Sequence, residues 1–332
     1  MSTGHLVISE SGRLSLATAG LSTGWLMAWM RMAGIDRVRL HALEGIDWST
    51  CRGWRVVIAA EDELMRVAVA HGKHIGAAAD GTRRVVNAEA IEMENPARCG
   101  WHYRQEGAQT LLLPLGELAY QRDAWLSRIS DGQPFDALQV ALTDAGGDVL
   151  ERGLVAWSPD TPLPEKDILL NDQGYLPEEQ LLMALNRHRL QLRCAESCTA
   201  GGIASRIARV PGASSVLERS WVTYSNEAKA EELGVNESTI GRYGAVSRET
   251  VIEMATGGAG ERAACIAVSG IAGPGGGSTD KPVGTVWMAI AVPGLTVMPY
   301  RFLFSGSRAD IQHKAVLYAM AMLIRRLEMP GA

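Results

Sequence analysis

The sequence predicts an α/β protein made of two layered α/β domains. Three observations carry that expectation. Short apolar runs of strand length alternate with segments of helical spacing. A strand-like run leads into a polar turn, two glycines and a helix start at Cys194–Gly202, CAESCTAGG. The stretch Ser158–Asp172, SPDTPLPEKDILLND, is rich in proline and charge, as linkers are, and separates a first segment from a second.

In the first segment, Leu26, Met27, Met30 and Ile35 suit a helix ending at Gly34, and Val56–Ala60 and Thr110–Leu113 read as buried strands. In the second, Pro177–His188 reads as a helix. Proline suits its first turn, Glu178 and Glu179 its positive end, and Leu181, Leu182 and Leu185 form an apolar stripe. Leu190–Cys194 is a strand and Ile203–Val210 a helix. Ser220–Tyr224 is a strand, and Ser247 caps a helix that Gly257 and Gly258 weaken. Cys265–Ser269 is a short buried strand and Val283–Val292 a central one. Ser307 caps a final helix running to about Leu327, before Pro330.

At 332 residues the chain has room for two domains. Its 47% apolar and 21% charged content fits a globular protein rather than a disordered one. No apolar run reaches the roughly 18 residues that span a bilayer, and the N-terminus lacks a secretory layout. Cysteines 51, 99, 194, 198 and 265 are odd in number and form no CxxC pair. Reduced thiols in the cytoplasm are therefore expected, rather than disulfides or structural zinc. The net charge of −5 comes without a basic block, so neither nucleic acid nor membrane is an expected partner.

Beyond CAESCTAGG, the second segment carries TYSNEAK at Thr223–Lys229, GAVS at Gly244–Ser247, SGIAGPGGG at Ser269–Gly277 and KPVGT at Lys281–Thr285. In this order and at these intervals the set resembles the CinA C-terminal domain, over about residues 173–330. That family includes the stand-alone nicotinamide-nucleotide amidohydrolases. The resemblance implies an α/β/α domain over 173–332 that converts nicotinamide mononucleotide (NMN) and water to nicotinate mononucleotide and ammonia, without a cofactor. Two other readings remain: a non-catalytic nucleotide-binding or scaffold protein, and an ADP-ribose pyrophosphatase.

Residues 1–130 more faintly resemble the CinA N-terminal, molybdopterin-binding-like domain. WLMAWMRMAGI at Trp25–Ile35, DELMRVAVA at Asp62–Ala70 and LLLPLGEL at Leu111–Leu118 follow its order. The Gly-rich loop expected between Ala60 and Glu61 is missing, and the loop at Leu113–Leu118 is shortened. Gly-rich loops bring backbone amides close to phosphates. A degenerate domain without a nucleotide or pterin pocket is expected, serving packing or self-association in a homo-oligomer. Residues 131–172 are expected as a connection.

Amide hydrolysis needs a nucleophile, a base, an oxyanion site and a proton for the departing ammonia. Ser197 is the candidate nucleophile, and Cys198 a rival because a thiol at a helix start has a lowered pKa. No histidine lies near the motifs, so Lys229 is the candidate base, a role that requires its pKa to be lowered. The resemblance pairs the same two residues. The plain alternative for Lys229 is a surface helix lysine. Tyr224 relays a proton, holds the lysine, or packs in the core. Glu196 orients Lys229, contacts ribose, or is an ordinary turn carboxylate. Asn226 binds substrate or caps the next helix.

The loop Gly270–Gly277 is a flexible turn or a phosphate cradle at the sheet's carboxyl edge. Thr199, Ser269, Gly270, Gly273, Gly275 and Gly276 are taken as substrate contacts with Glu196 and Asn226. Arg308, in FSGSR where the family form is FxGDR, suits the phosphate, and Ser307 still caps the helix. Ala200 stands where the family often has glycine. No metal is expected, because no His/Asp/Glu cluster has ligand spacing.

Overall fold

The structure, a computed structural model, describes residues 2–18, 21–77, 83–87, 91–94, 101–105, 107–114, 122–130, 133, 136, 138–143, 148–151, 153–157 and 167–329. Cys99, most of the shortened Leu113–Leu118 loop and the greater part of the linker (158–166) lie outside the described residues.

The chain opens with β1 (Thr3–Ile8), α1 (Glu10–Thr18), α2 (Thr23–Met32), β2 (Arg37–Ala42), β3 (Trp54–Ala59) and α3 (Glu61–Ala70). Then come β4 (Lys73–Ala77), β5 (Arg83–Asn87), β6 (Ile91–Glu94), β7 (Trp101–Gln105), β8 (Ala108–Pro114) and α4 (Arg122–Ile129). The main sheet has the order β2-β1-β3-β8-β7, parallel except for the last pair. β4, β5 and β6 form a small antiparallel sheet. The later parts of β1 (Leu6–Ile8) and β3 (Val56–Ala59) are continuous apolar runs because both faces of the sheet are covered there. Leu6, Ile8, Val56 and Ile58 enter one core with α2, while Val7, Val57 and Ala59 enter another with α3. That alternation follows the strand period of two.

The segment expected as a mere connection carries β9 (Gln139–Leu142), β10 (Asp148–Glu151), β11 (Leu154–Trp157) and β12 (Ile168–Asn171). They form an antiparallel sheet ordered β10-β11-β9-β12. Helix α2 lies close against it. A Cβ on Gly24 would stand 2.2 Å from the Val149 carbonyl oxygen, so only glycine fits there.

The rest of the chain is α5 (Pro177–His188), β13 (Gln191–Glu196), α6 (Gly202–Ile207), β14 (Leu217–Val222), α7 (Asn226–Leu233), α8 (Glu237–Tyr243) and α9 (Arg248–Gly258). It ends with β15 (Ala263–Gly270), β16 (Thr285–Ala291), β17 (Met298–Leu303) and α10 (Arg308–Glu328). The sheet order is β14-β13-β15-β16-β17, with β14, β13 and β15 parallel and β16 and β17 antiparallel. β15 is therefore the central strand, where the sequence pointed to β16. Its run AACIAVSG has no polar residue before Ser269 and is buried on both faces. Helices α5, α6 and α10 share one core with the sheet, and α7 and α9 close the other face. The second half is thus an α/β/α sandwich, and the whole chain is α/β in two layered units.

Helix ends follow their caps. Pro177 starts α5, Ser247 caps α9 through the Thr250 N–H at 3.2 Å, and Ser307 caps α10. Gly257 and Gly258 do not weaken α9 but continue it. A Cβ on Gly257 would lie 1.8 Å from the Leu233 carbonyl oxygen, so this glycine lets α7 and α9 touch.

One polar cluster joins the halves. Arg206 on α6 donates to Glu178 of α5 at 2.7 Å and to Glu151 of β10 at 3.2 Å, with its side chain only 8% exposed. Burial pushes the Glu178 pKa up, and the guanidinium opposes that shift. Replacing Arg206 by Met should leave two buried carboxylates without a counter-ion and cost about 3–5 kcal/mol. Glu151→Gln keeps an acceptor and should cost far less. Urea unfolding of the full chain checks both; equal, small losses would contradict the assignment of Arg206 as their shared counter-ion.

Candidate active site

Ser197 stands at the carboxyl end of β13, in the crevice side of the parallel strands where α/β proteins place ligands. Its N–H donates to the Val268 carbonyl at 3.0 Å, tying the turn to the central strand. The turn then passes through Ala200 at φ 52° and Gly201 at φ 89° before α6 begins. Ser197 is 8% exposed.

Lys229 is not a surface helix lysine. It lies in the first turns of α7 and is 1% exposed. Side chains on a helix lean toward its N-terminus, so the amine reaches back to the chain just before the helix. There Nζ donates to the carbonyls of Thr223 at 2.8 Å, Ser225 at 3.2 Å and Tyr224 at 3.4 Å. It also lies 3.2 Å from Ser197 Oγ. Burial lowers its pKa, against the weaker opposing pull of Cys198 and Glu227. The paired serine and lysine from the motif reading are thus in hydrogen-bond contact.

Several other expected residues have different occupations. Glu196 touches neither Lys229 nor an open surface. Its carboxylate is fully buried and accepts from the N–H groups of Ile203 and Ala204, both at 3.1 Å, and from Ser220 Oγ at 3.2 Å. It caps the start of α6, where a negative charge meets the helix's positive end. Tyr224 is 55% exposed, and its hydroxyl accepts from Arg308 at 2.6 Å instead of reaching the lysine. Asn226 is not the cap of α7; Ser225 is, accepting from the Ala228 N–H at 3.0 Å, while Asn226 is exposed. Ser269 donates to the Ala245 carbonyl at 2.8 Å and so ties the GAVS turn to β15.

Burial pushes the Cys198 thiol up to about 12, which counts against its reading as the nucleophile. Its carbonyl accepts from Gln312 of α10 at 2.8 Å. Thr199 is buried with a hydroxyl that has no hydrogen-bond partner among the described residues. It lines a cleft of about 570 Å³ on the α10 side of the turn, together with Arg209, Gln312 and His313, away from Ser197 and Lys229.

The glycine loop starts beside the Ser197–Gly201 turn. A Cβ on Gly270 would stand 3.0 Å from Cys198 Sγ and 2.8 Å from Val286, so Gly270 serves close packing. Gly273 and Gly276 have positive φ, and Gly275 opens to free space. Arg308 donates to the Gly273 carbonyl at 2.8 Å and thereby bridges the loop to Tyr224. Ser197, Lys229, the 223–225 carbonyls, Arg308 and the glycine loop thus enclose one rim. Sequence reasoning missed Ser225 and Gln312. A serine directly before an Asn-Glu helix start was the available signal for the first; nothing local announced the second.

With this geometry in hand, comparison with known proteins is informative. The family model described as the CinA C-terminal domain matches residues 176–327. The nicotinamide-nucleotide amidohydrolase PncC of Escherichia coli K12 is 45% identical over 147 residues, 44% of this chain and 89% of that protein. A PncC from Pseudomonas putida is 46% identical over 143 residues, 42% of this chain and 89% of the relative. The solved competence/damage inducible protein CihA of Agrobacterium tumefaciens is 37% identical across 46% of this chain and 96% of its own, with a TM-score of 0.43. An α/β/α domain with a buried serine–lysine contact at its carboxyl edge is the class the fold and site define. The chain belongs to the CinA family, with a C-terminal domain like that of the PncC proteins.

Ala200 occupies the left-handed region at φ 52°. That conformation costs a non-glycine residue about 1–2 kcal/mol. Ala200→Gly removes it at an unfolded-chain entropy cost of about 0.4–1 kcal/mol. The variant should therefore be more stable by roughly 0.5–1 kcal/mol. A lower unfolding midpoint in urea would show that the turn carries no such strain.

Proposed function

We propose that this chain hydrolyses the carboxamide of NMN to nicotinate mononucleotide and ammonia, with Ser197 as nucleophile and Lys229 as general base. The observation that carries the reading is the 3.2 Å contact between a serine hydroxyl and a buried lysine amine. The substrate comes from the relatives, which bear the name nicotinamide-nucleotide amidohydrolase. Among the described residues no helix is long and apolar enough to cross a membrane.

In the neutral amine, two N–H groups satisfy backbone carbonyls and the lone pair faces Ser197 Oγ. The amine takes the hydroxyl proton as Oγ attacks the carboxamide carbon. The N–H groups of Cys198 and Thr199 give no hydrogen bond to a carbonyl within the turn, and they are the candidate donors to the resulting oxyanion. The lysine ammonium then protonates the departing nitrogen, which leaves as ammonia and yields an acyl-serine ester. Water, deprotonated by the same amine, hydrolyses that ester and returns the proton to Ser197. Arg308 and the Gly273–Gly276 turn would hold the phosphate, using guanidinium N–H groups on the open side of the rim.

Purified protein with NMN should release ammonia. Ser197→Ala should lower kcat by about 10⁴–10⁶, and Lys229→Arg should be equally inactive because arginine cannot lose its proton near neutral pH. The working base is the unprotonated amine. Because burial lowers the lysine pKa, kcat/KM should climb with rising pH through one ionisation below the ordinary lysine value, then level off. An active Lys229→Arg variant, or a rate that falls as pH rises through that range, would sink the general-base role.

Arg308→Ala should raise KM for NMN far more than for nicotinamide riboside, which lacks the phosphate. Equal effects on the two substrates would place the phosphate elsewhere. Tyr224→Phe should leave kcat within a few fold, since the hydroxyl contacts Arg308 and not the reacting pair.

A further inference from the structure

The first half of the chain carries a cluster that the proposed hydrolysis does not use. His5 in β1, His41 in β2 and Cys51 in the turn before β3 present ring nitrogens and a thiol that all lie within 4.8 Å of one another. His5 is 2% exposed and Cys51 fully buried, while His41 is half-buried. Their sequence spacing has no metal-motif form. The parallel register β2-β1-β3 brings them together, setting Val7 beside His41 and His5 beside Arg55.

His5 Nδ1 and His41 Nε2 stand 2.9 Å apart, as a hydrogen-bonded pair. A hydrogen bond between two imidazoles leaves one of the two facing nitrogens with a free lone pair. Cys51 Sγ has weak neighbours only, the Asp47 carbonyl at 3.8 Å and Thr50 Oγ1 at 3.9 Å.

We propose that His5, His41 and Cys51 form a binding site for one zinc-class divalent transition metal ion, with a fourth position open to water. Tetrahedral zinc needs ligand atoms about 3.4–3.6 Å apart, given bonds of about 2.0–2.3 Å. The imidazole pair opens by roughly half an ångström and the thiol closes by about one to reach that geometry. Binding moves the proton shared by the two facing nitrogens to the other nitrogen of its own ring and releases the Cys51 thiol proton to solvent. The bound ion with one thiolate thus carries a single net positive charge.

That charge balance matters here. Arg55 lies close by and donates to the carbonyls of Cys51 at 2.6 Å and Trp48 at 3.1 Å. Arg39 is also near, but exposed. A hard cation held by oxygen would meet these arginines without compensation. A thiolate–imidazole set offsets half the ion's charge and selects zinc-like metals over magnesium or calcium. The ion would stitch β1 to β2 and to the turn leading into β3. It would act in the first half, apart from the serine–lysine pair, so the proposal stands independently of the amidohydrolase reading.

Cobalt(II) titration of the purified full chain tests it. One equivalent should produce a thiolate-to-cobalt charge-transfer band and the intense visible bands of a four-coordinate ion, both bleached by added zinc. Cys51→Ala should abolish the charge-transfer band, and His41→Ala should weaken binding at least tenfold. Cys99→Ser should keep the spectrum, which separates this site from an adventitious thiol. X-ray absorption on the zinc-loaded unmutated chain covers the case in which a variant fails to fold: one sulfur and two imidazole nitrogens are expected. No charge-transfer band, a band that survives Cys51→Ala, or a zinc shell of nitrogen and oxygen alone would each overturn the proposal.

Discussion

The burial of one lysine amine organises the second half of this protein. A fully solvated Lys229 would be an ordinary cation. At 1% exposure its charged form loses hydration that the weaker pull of Glu227 and Cys198 does not make up, so the neutral amine becomes more accessible. The three carbonyls around it do not decide the protonation state alone, since a neutral amine also needs acceptors for two N–H groups. They decide position. They converge because Ser225 caps α7: Thr223 and Tyr224 lie before the helix, and the Ser225 carbonyl, which also accepts from the Lys229 N–H at 3.4 Å, opens its first turn. The amine is then held against the Ser197 hydroxyl at the end of β13.

The same logic explains which parts of the site could be read in the sequence. Ser197, Lys229 and the glycine loop sit in contiguous motifs, so the motifs and the family resemblance they carry pointed to them. Glu196 was misread because its partners are N–H groups seven and eight residues further on and a serine of the neighbouring strand. Parallel pairing of β13 with β14 brings Ser220 beside Cys194, within reach of the carboxylate. Tyr224 was misread for the same reason: Arg308, eighty-four residues away, takes its hydroxyl. Local signals do well where caps dominate, as at Pro177, Ser247 and Ser307, and poorly where close packing does. Gly257 looks like a helix weakener in sequence, yet the contact with Leu233 makes it a requirement. The sheet at 139–171 escaped notice because its strands are four residues each, too short for a convincing alternation.

The two halves are less separate than the proline-rich stretch between them implies. One apolar core runs from Leu6, Trp25 and Trp29 through Leu142 and Leu150 to Leu181, Leu317 and Leu323. Helix α6 lies on that boundary. Its start is held by the Glu196 carboxylate, and near its end Arg206 reaches Glu178 on α5 and Glu151 on β10. A six-residue helix has too little internal hydrogen bonding to hold its own orientation. Both ends are instead fixed by charges from other elements.

That arrangement gives the first half a physical role that needs no ligand pocket of the nucleotide type. The Ser197 turn runs directly into α6, so whatever holds α6 also holds Ser197 opposite Lys229. Positioning a nucleophile to within a fraction of an ångström is worth far more to a reaction than to folding. Glu151 therefore matters through Arg206 and α6 rather than through contact with substrate. The strands and helices of the first half complete the core against which the α6 end of the serine–lysine site is braced.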